Sequence, residues 1–234
     1  MSTAGTSDAG TSDAERAQES ALLGRYAAEL GLSLTTSQSA ALLALLDELG
    51  EANAQFNLTA IRDRPGMLVK HLVDSLSVQP YLHGTRIADV GTGAGFPGLP
   101  LSLVNPQRHF TLIEATGKKA RYVERTAQRL GCPNVEVVHA RAEGYRPAVP
   151  FDTVIARAVA TLADFVRVAG HLCAPDGRLL AMKGRRPEAE LAALPRTFEV
   201  RAVHRLRLPG LDDERHLVEL SPAPATAGRP RRGP

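Results

Sequence analysis

Apolar side chains recur at helical spacing early in the chain and in short blocks later. Leu22, Leu23, Tyr26, Ala27 and Leu30 share one helical face, and Ser12-x-x-Glu15 ahead of them has the form of a capping box. Leu42, Leu43, Leu45, Leu46 and Leu49 predict a second helix that starts after Thr35 or Thr36. A third starts near Asp63-Arg64-Pro65, where Asp can cap and proline suits the first turn; it buries Met67, Leu68, Leu72 and Leu76. From about residue 86 the style changes. Strands are predicted at Arg86–Val90, His109–Ile113, Val135–His139, Thr153–Ala156, Arg178–Met182, Thr197–Leu206 and His216–Leu220. Helices fall between them at Gly98–Val104, Lys118–Leu130, Thr161–Leu172 and Pro187–Leu194. This alternation predicts an α/β fold with a mostly parallel, doubly wound, seven-stranded sheet. The last two strands, joined through Pro209-Gly210, form an antiparallel edge hairpin. Ligands on such a sheet bind beyond the C-terminal strand ends, beside the first strand.

Both ends lack the apolar surface needed to offset chain entropy. The start repeats Ala-Gly-Thr-Ser-Asp at residues 4–8 and 9–13, and the stretch from Ser221 is rich in Pro, Ala and Gly and ends with Arg229, Arg231 and Arg232. The expected organisation is a tail over 1–13, a helical region over 14–80, an α/β domain over 81–220 and a basic tail over 221–234. The 234 residues are 44% hydrophobic and 23% charged, a balance that excludes global disorder. The longest purely apolar run, Ala40 to Leu46, is too short to span a membrane. Cys132 and Cys173 form no CxxC pair, which disfavours a disulfide framework and a structural zinc and points to a reducing cytoplasm. No metal is expected, and a monomer is the default. The first 60 residues carry eight acids against Arg16 and Arg25, so the net charge of +3 hides a strongly basic remainder. That asymmetry suits a polyanionic partner, although 24 Arg against 4 Lys also fits a GC-rich genome.

The chemistry concentrates at the first strand–helix junction, Asp89-Val-Gly91-Thr-Gly93-Ala-Gly95-Phe96-Pro97-Gly98. Glycines let the chain turn sharply and bring its backbone close to a ligand, with the next helix's N–H groups facing it. Gly93-Ala-Gly95-Phe-Pro-Gly98 fits the dinucleotide GxGxxG pattern, a weak signal alone. Asp89-Val-Gly91-Thr-Gly93-Ala-Gly95 fits the acidic-x-GxGxG loop of S-adenosylmethionine (SAM) methyltransferases, with the glycines starting directly after the strand. Glu114 ends the second strand, where an acid can accept both ribose hydroxyls; dinucleotide domains place one there too.

Further blocks follow in order: Phe56-Asn57-Leu-Thr59-Ala-Ile-Arg62-Asp63, Lys70-His71-Leu-Val-Asp74-Ser75, Ile155-Ala156-Arg157-Ala158, Met182-Lys183-Gly184 and Glu214-Arg215-His216. With the glycine loop, these blocks resemble the bacterial small-subunit rRNA guanine-N7 methyltransferases, the RsmG or GidB family, from about Leu22 to Leu220. Two positions depart from the family pattern. Glu114 stands where Asp is frequent, and Ala156 stands where the family has Ser, removing one hydroxyl.

The resemblance implies a class I SAM-dependent methyltransferase fold, Rossmann-like, preceded by a small helical region. It implies methyl transfer from SAM to N7 of one guanine in 16S rRNA, with the small ribosomal subunit or an assembly intermediate as partner and no membrane. Carried over by position, it places Gly91, Gly93, Phe96, Glu114, Ala142, Glu143 and Arg157 around the cofactor. Guanine N7 offers a free lone pair with no proton to remove, so no catalytic base is assigned; positioning carries the reaction. RNA-facing candidates are Asn57, Lys118, Lys183 and Arg215, beside further cations at Lys119, Arg121, Arg125, Arg185 and Arg186. Asn57 has an equal alternative as a cap, Phe96 as packing, and the basic helix as a solvated face. His71 and Asp74, three apart, are expected to orient one another. Two other classes stay open: a nicotinamide oxidoreductase, although no Tyr has a Lys four residues on, and a non-catalytic RNA-binding protein. A methyltransferase acting on a small molecule or a protein is the nearer rival.

Overall fold

The computed structural model describes residues 13–224; the N-terminal repeat apart from its last residue, Ser12 of the capping box included, and the terminal arginines lie outside these residues. α1 (Asp13–Glu29) and α2 (Thr36–Phe56) lay Leu23, Leu42, Leu46 and Leu49 against the core. Thr35 caps α2 in a reciprocal box with Gln38: the Gln38 amide donates to Thr35 Oγ1 at 3.1 Å, and the Thr35 amide to Gln38 Oε1 at 3.0 Å. α3 (Arg64–Met67) starts as predicted, with Asp63 accepting from the Gly66 amide at 2.7 Å and proline in the first turn. The rod continues through a π-helical segment, Leu68–Val73, into α4 (Asp74–Leu76). Such one-turn π segments collect at functional sites.

The sheet has the order β3-β2-β1-β4-β5-β7-β6. β1 (Arg86–Val90), β2 (His109–Glu114), β3 (Val135–His139), β4 (Phe151–Arg157) and β5 (Cys173–Lys183) run parallel. β7 (Arg215–Pro222) runs antiparallel between β5 and the edge strand β6 (Phe198–Leu206). The predicted hairpin pairing is present, and its second strand is the inner one. β7 also carries Ser221 and Pro222, paired with Glu199 and Phe198, so the second tail starts later than its composition suggests. At the other end Asp13 already belongs to α1. β4 and β5 exceed their predicted lengths because Cys173 pairs with Phe151 across a bulge, beyond the Ala174-Pro-Asp-Gly177 break in the apolar pattern.

Helices cover both faces. α5 (Gly98–Val104) and α6 (Gly117–Arg129) share one face with the N-terminal rods: Leu42, Leu46, Leu72, Leu99, Leu112, Leu180 and Leu217 form one continuous cluster. α7 (Leu162–Ala169) covers the other face, where Phe165 packs among Val154, Leu179 and Val218. It is shorter than predicted and closes in a 3-10 turn at Gly170–Leu172. α8 (Glu188–Ala192) is a single short turn of helix after β5. No helix among the described residues is long and apolar enough to cross a membrane. The chain order reverses at β1, which pairs with both β2 and β4, and that reversal opens a crevice at the C-terminal strand ends.

Candidate functional site

The glycine loop closes that crevice on one side. Gly91, Gly93 and Gly95 all have positive φ, at 69°, 63° and 93°, a backbone region that L side chains avoid. The four glycines divide by what surrounds them. A Cβ at Gly91 meets nothing within 4 Å, and one at Gly93 meets only Gly91 O at 3.9 Å, so both border open space. A Cβ at Gly95 collides with Leu99, and one at Gly98 with Leu112 and with Asp89 Oδ2 at 2.8 Å, so these two serve packing.

Asp89, fully buried at the end of β1, anchors the loop through Oδ2, which accepts from Thr92 Oγ1 at 2.6 Å and the Gly98 amide at 2.8 Å. Its Oδ1 is buried with no hydrogen-bond partner among the described residues. Burial pushes its pKa up to about 6, against those two hydrogen bonds. Glu114, at the end of β2, accepts from the Gly93 amide at 2.9 Å and the Thr116 amide at 2.7 Å. An ionised carboxylate has lone pairs beyond these two bonds. A cleft of about 160 Å³ then runs between Val90, Gly91, Ile113, Ala142 and Glu143. Gly91, Ala142 and Glu143, distant in sequence, therefore share one wall, with Gly93 and Glu114 at its edge.

A second cleft of about 510 Å³ opens at the ends of β4, β5 and β7, lined among others by Lys70, His71, Asp74, Arg157, Lys183 and Arg215. Basic residues outnumber the one carboxylate on its wall, and two of them, Arg157 and Arg215, pair with it, a setting for an anionic ligand. His71 is 5% exposed and stacks on Phe96, ring centroids 4.8 Å apart. Its Nδ1 lies 3.4 Å from Arg157 Nη1. Its Nε2 shares a hydrogen bond with Thr59 Oγ1 at 3.0 Å. Burial first, then the Arg157 charge, lowers the His71 pKa to about 4. Asp74 is 5% exposed and lies 3.6 Å from Arg157 Nη1 and 3.4 Å from Arg215 Nε. Burial raises its pKa and the two guanidinium groups oppose the rise. Ala158, with φ 60°, is one of two non-glycine residues at positive φ among those described; Asn57 is the other.

Residues 38–218 match the model of a protein family described as GidB: rRNA small subunit methyltransferase G. The chain belongs to the GidB family. Among GidB relatives, the ribosomal RNA small subunit methyltransferase G of Nitrosococcus oceani is 50% identical over 193 residues, covering 82% of this chain and 90% of the relative. That of Escherichia fergusonii is 45% identical over 194 residues, covering 83% and 94%. Solved structures share the GidB chain's fold at lower identity. TrmN from Thermus thermophilus aligns with a TM-score of 0.53 at 22% identity, over 73% of this chain and 53% of that one. A SAM-dependent methyltransferase from Aquifex aeolicus aligns with a TM-score of 0.51 at 20% identity, over 68% and 94%. The GidB match selects the methyltransferase template for the glycine string and removes the dinucleotide one.

Several residues of this GidB chain sit differently from expectation. Phe96 is 1% exposed, with its ring against His71 and 5.7 Å from the Arg157 guanidinium carbon. Lys183 turns inward. Its Nζ donates to Val159 O at 3.2 Å and Ala160 O at 3.4 Å, and pairs with Glu190 at 2.8 Å. It braces the turn after β4 instead of projecting toward solvent. Asn57 takes the left-handed C-cap of α2, and its Oδ1 accepts from Arg62 Nη2 at 2.9 Å. Lys118 Nζ lies 4.3 Å from the Phe56 ring centroid, which brings the start of α6 beside that cap. Arg157 lines the cation-ringed cleft, and it stands between His71 and Asp74, which meet through it. Lys70 and Ala158 were absent from the sequence-derived site; only their places inside the matched blocks marked them. A further cavity of about 690 Å³ between α6 and β3 lies away from these strand ends, lined by Glu124, Cys132 and Val137 among others.

Proposed function

We propose that this chain transfers the methyl group of SAM to N7 of one guanine in the 16S rRNA of the small ribosomal subunit. The observation that carries this reading is the junction of two clefts at the C-terminal strand ends. One is bordered by glycines that leave open space, the other is ringed by cations, and Phe96 within the glycine loop stacks on His71 in the second. The residues fit the cofactor: side chains at Gly91 and Gly93 would fill the cradle, and the orphaned Asp89 Oδ1 sits beneath it. Gly91, Gly93, Glu114, Ala142 and Glu143 would hold the nucleoside, with Glu114 accepting from ribose hydroxyls.

When bound, SAM supplies an electrophilic methyl group. The chain's own part is alignment and exclusion of water, which alone can supply several kcal/mol. Guanine N7 has an in-plane lone pair and nothing to deprotonate, so no side chain needs to act as base. His71 suits such a site because it is held neutral and puts no extra charge against the guanine as positive charge builds there. Arg157, Arg215 and Lys70 at the cleft, with the exposed Lys118 at the start of α6, would meet RNA phosphates.

The test is tritium transfer from labelled SAM to small subunits from a strain lacking this gene. Label at N7 of one guanine in 16S rRNA is the expected result. Label absent from RNA and found on protein or metabolites overturns the substrate assignment.

A further inference from the structure

We propose that Asp74 is a positioning residue that sets Arg157 and Arg215 at a fixed spacing across the cation-ringed cleft, and so seats the RNA. The inference rests on the reading of that cleft as the RNA site. Arg157 ends β4 and Arg215 begins β7, with β5 between them in the sheet. Two cations on long, rotatable stems at this range repel one another and have many rotamers. Asp74 lies between them, with Oδ2 3.6 Å from Arg157 Nη1 and Oδ1 3.4 Å from Arg215 Nε. It therefore takes one edge of each guanidinium. Arg157 Nη1 also donates to Lys70 O at 3.2 Å, and Arg215 Nη1 to Glu214 O at 2.8 Å. The inner nitrogens are thus engaged by protein, while both side chains stay about a quarter exposed, at 27% and 24%.

Stability does not explain this carboxylate. Its contacts with the two guanidinium groups are longer than the ~2.7–2.9 Å of strong charge-assisted hydrogen bonds. Oδ1 has no hydrogen-bond partner among the described residues. Burial makes this charge costly to desolvate and the two guanidinium groups only oppose that cost, so the pairing is weak evidence for a role in stability. The helix around it is built to keep it in place. Asp74 directly follows the π segment, Ser75 Oγ donates to His71 O at 2.6 Å, and Ser77 Oγ donates to Asp74 O at 2.6 Å. The outer edge of Arg157 is left for an anion, while Arg215 Nη2 lies 3.9 Å from Oδ2 of the exposed Asp213, a pair that an RNA phosphate would replace.

The experiment measures methyl transfer to small subunits, SAM binding by equilibrium dialysis, and Tm. Asp74→Asn keeps the volume and removes the charge. It should keep SAM affinity within twofold and raise KM for subunits at least tenfold, with kcat changed far less. Combined with Arg215→Gln, the double variant should lose less kcat/KM than the product of the two single losses, because both changes undo the same arrangement. Losses that multiply, a parallel drop in SAM affinity, or an unchanged KM each overturn the proposal. Should Asp74→Asn fail to fold, Arg215→Lys leaves Asp74 its counter-charge but loses the fork; a wild-type KM there also overturns it. Wild-type protein that methylates no RNA defeats the functional reading instead, and is thereby told apart.

Discussion

Gly93 and Gly98 occupy one loop and carry different loads. Gly93 faces open space at φ 63°, whereas a side chain at Gly98 runs into Leu112 and Asp89. Gly93→Val should therefore abolish SAM binding while the protein stays folded, at a backbone cost of roughly 1–2 kcal/mol. Equilibrium dialysis beside a thermal melt checks this, and retained affinity counts against the loop as cofactor cradle. His71 predicts a pH effect. Its folded pKa of about 4 lies below the ordinary 6.5, so the unfolded chain takes up a proton that the fold refuses. Above pH 6.5 both states are neutral and nothing is lost. As pH falls from 6.5 to about 4, stability drops by on the order of 3 kcal/mol. Asp89, raised to about 6 from 3.8, slopes the opposite way, losing stability as pH rises between those values. Comparing wild type with His71→Gln cancels the Asp89 contribution: the variant's stability should fall less between pH 6.5 and 4. Equal slopes would show that His71 is not held neutral by its surroundings.

At the scale of elements, local chemistry predicted well wherever it was local. The Thr35–Gln38 capping box, the Asp63 cap and the glycine turn each act within a few residues, so the sequence carries their full cause. The π segment at Leu68–Val73 leaves no such trace in the local pattern. The side chains of Phe96 and Lys183 likewise turn to partners set by the fold, His71 and the carbonyl of Val159. A motif marks a residue as needed without showing which way its side chain turns. The N-terminal rods share one leucine cluster with the sheet, so they should unfold together with it. Leu46→Ala, at a fully buried position in α2, should cost about 2–5 kcal/mol and shift the whole transition. Circular dichroism of helix and near-ultraviolet absorbance of the folded core should then report one midpoint; two separated midpoints would show an independently folding helical region.

For the whole molecule, charge placement matters more than net charge. Arg16, Arg64, Arg129, Arg167 and Arg178 are tied up in ion pairs with carboxylates. Lys118, Arg121 and Arg125 are exposed along α6, which starts beside the glycine loop, and none of the three pairs with a carboxylate among the described residues. Converting these three to Gln should flatten the dependence of log affinity for small subunits on log salt by roughly 2–3 in slope, at about 0.7–0.9 per phosphate contact. An unchanged slope would assign that stripe to solvent.

The sequence alone determined the helices with local caps, the strand blocks, the glycine loop and the family, because each is written in residues close together along the chain. Tertiary structure alone decided that the edge pair inserts β7 beside β5. It also decided that Lys183 faces inward and that Asp74 meets two arginines from separate strands. Those outcomes depend on distances between remote segments, which are fixed only when the helices and sheet pack and exclude water from between them.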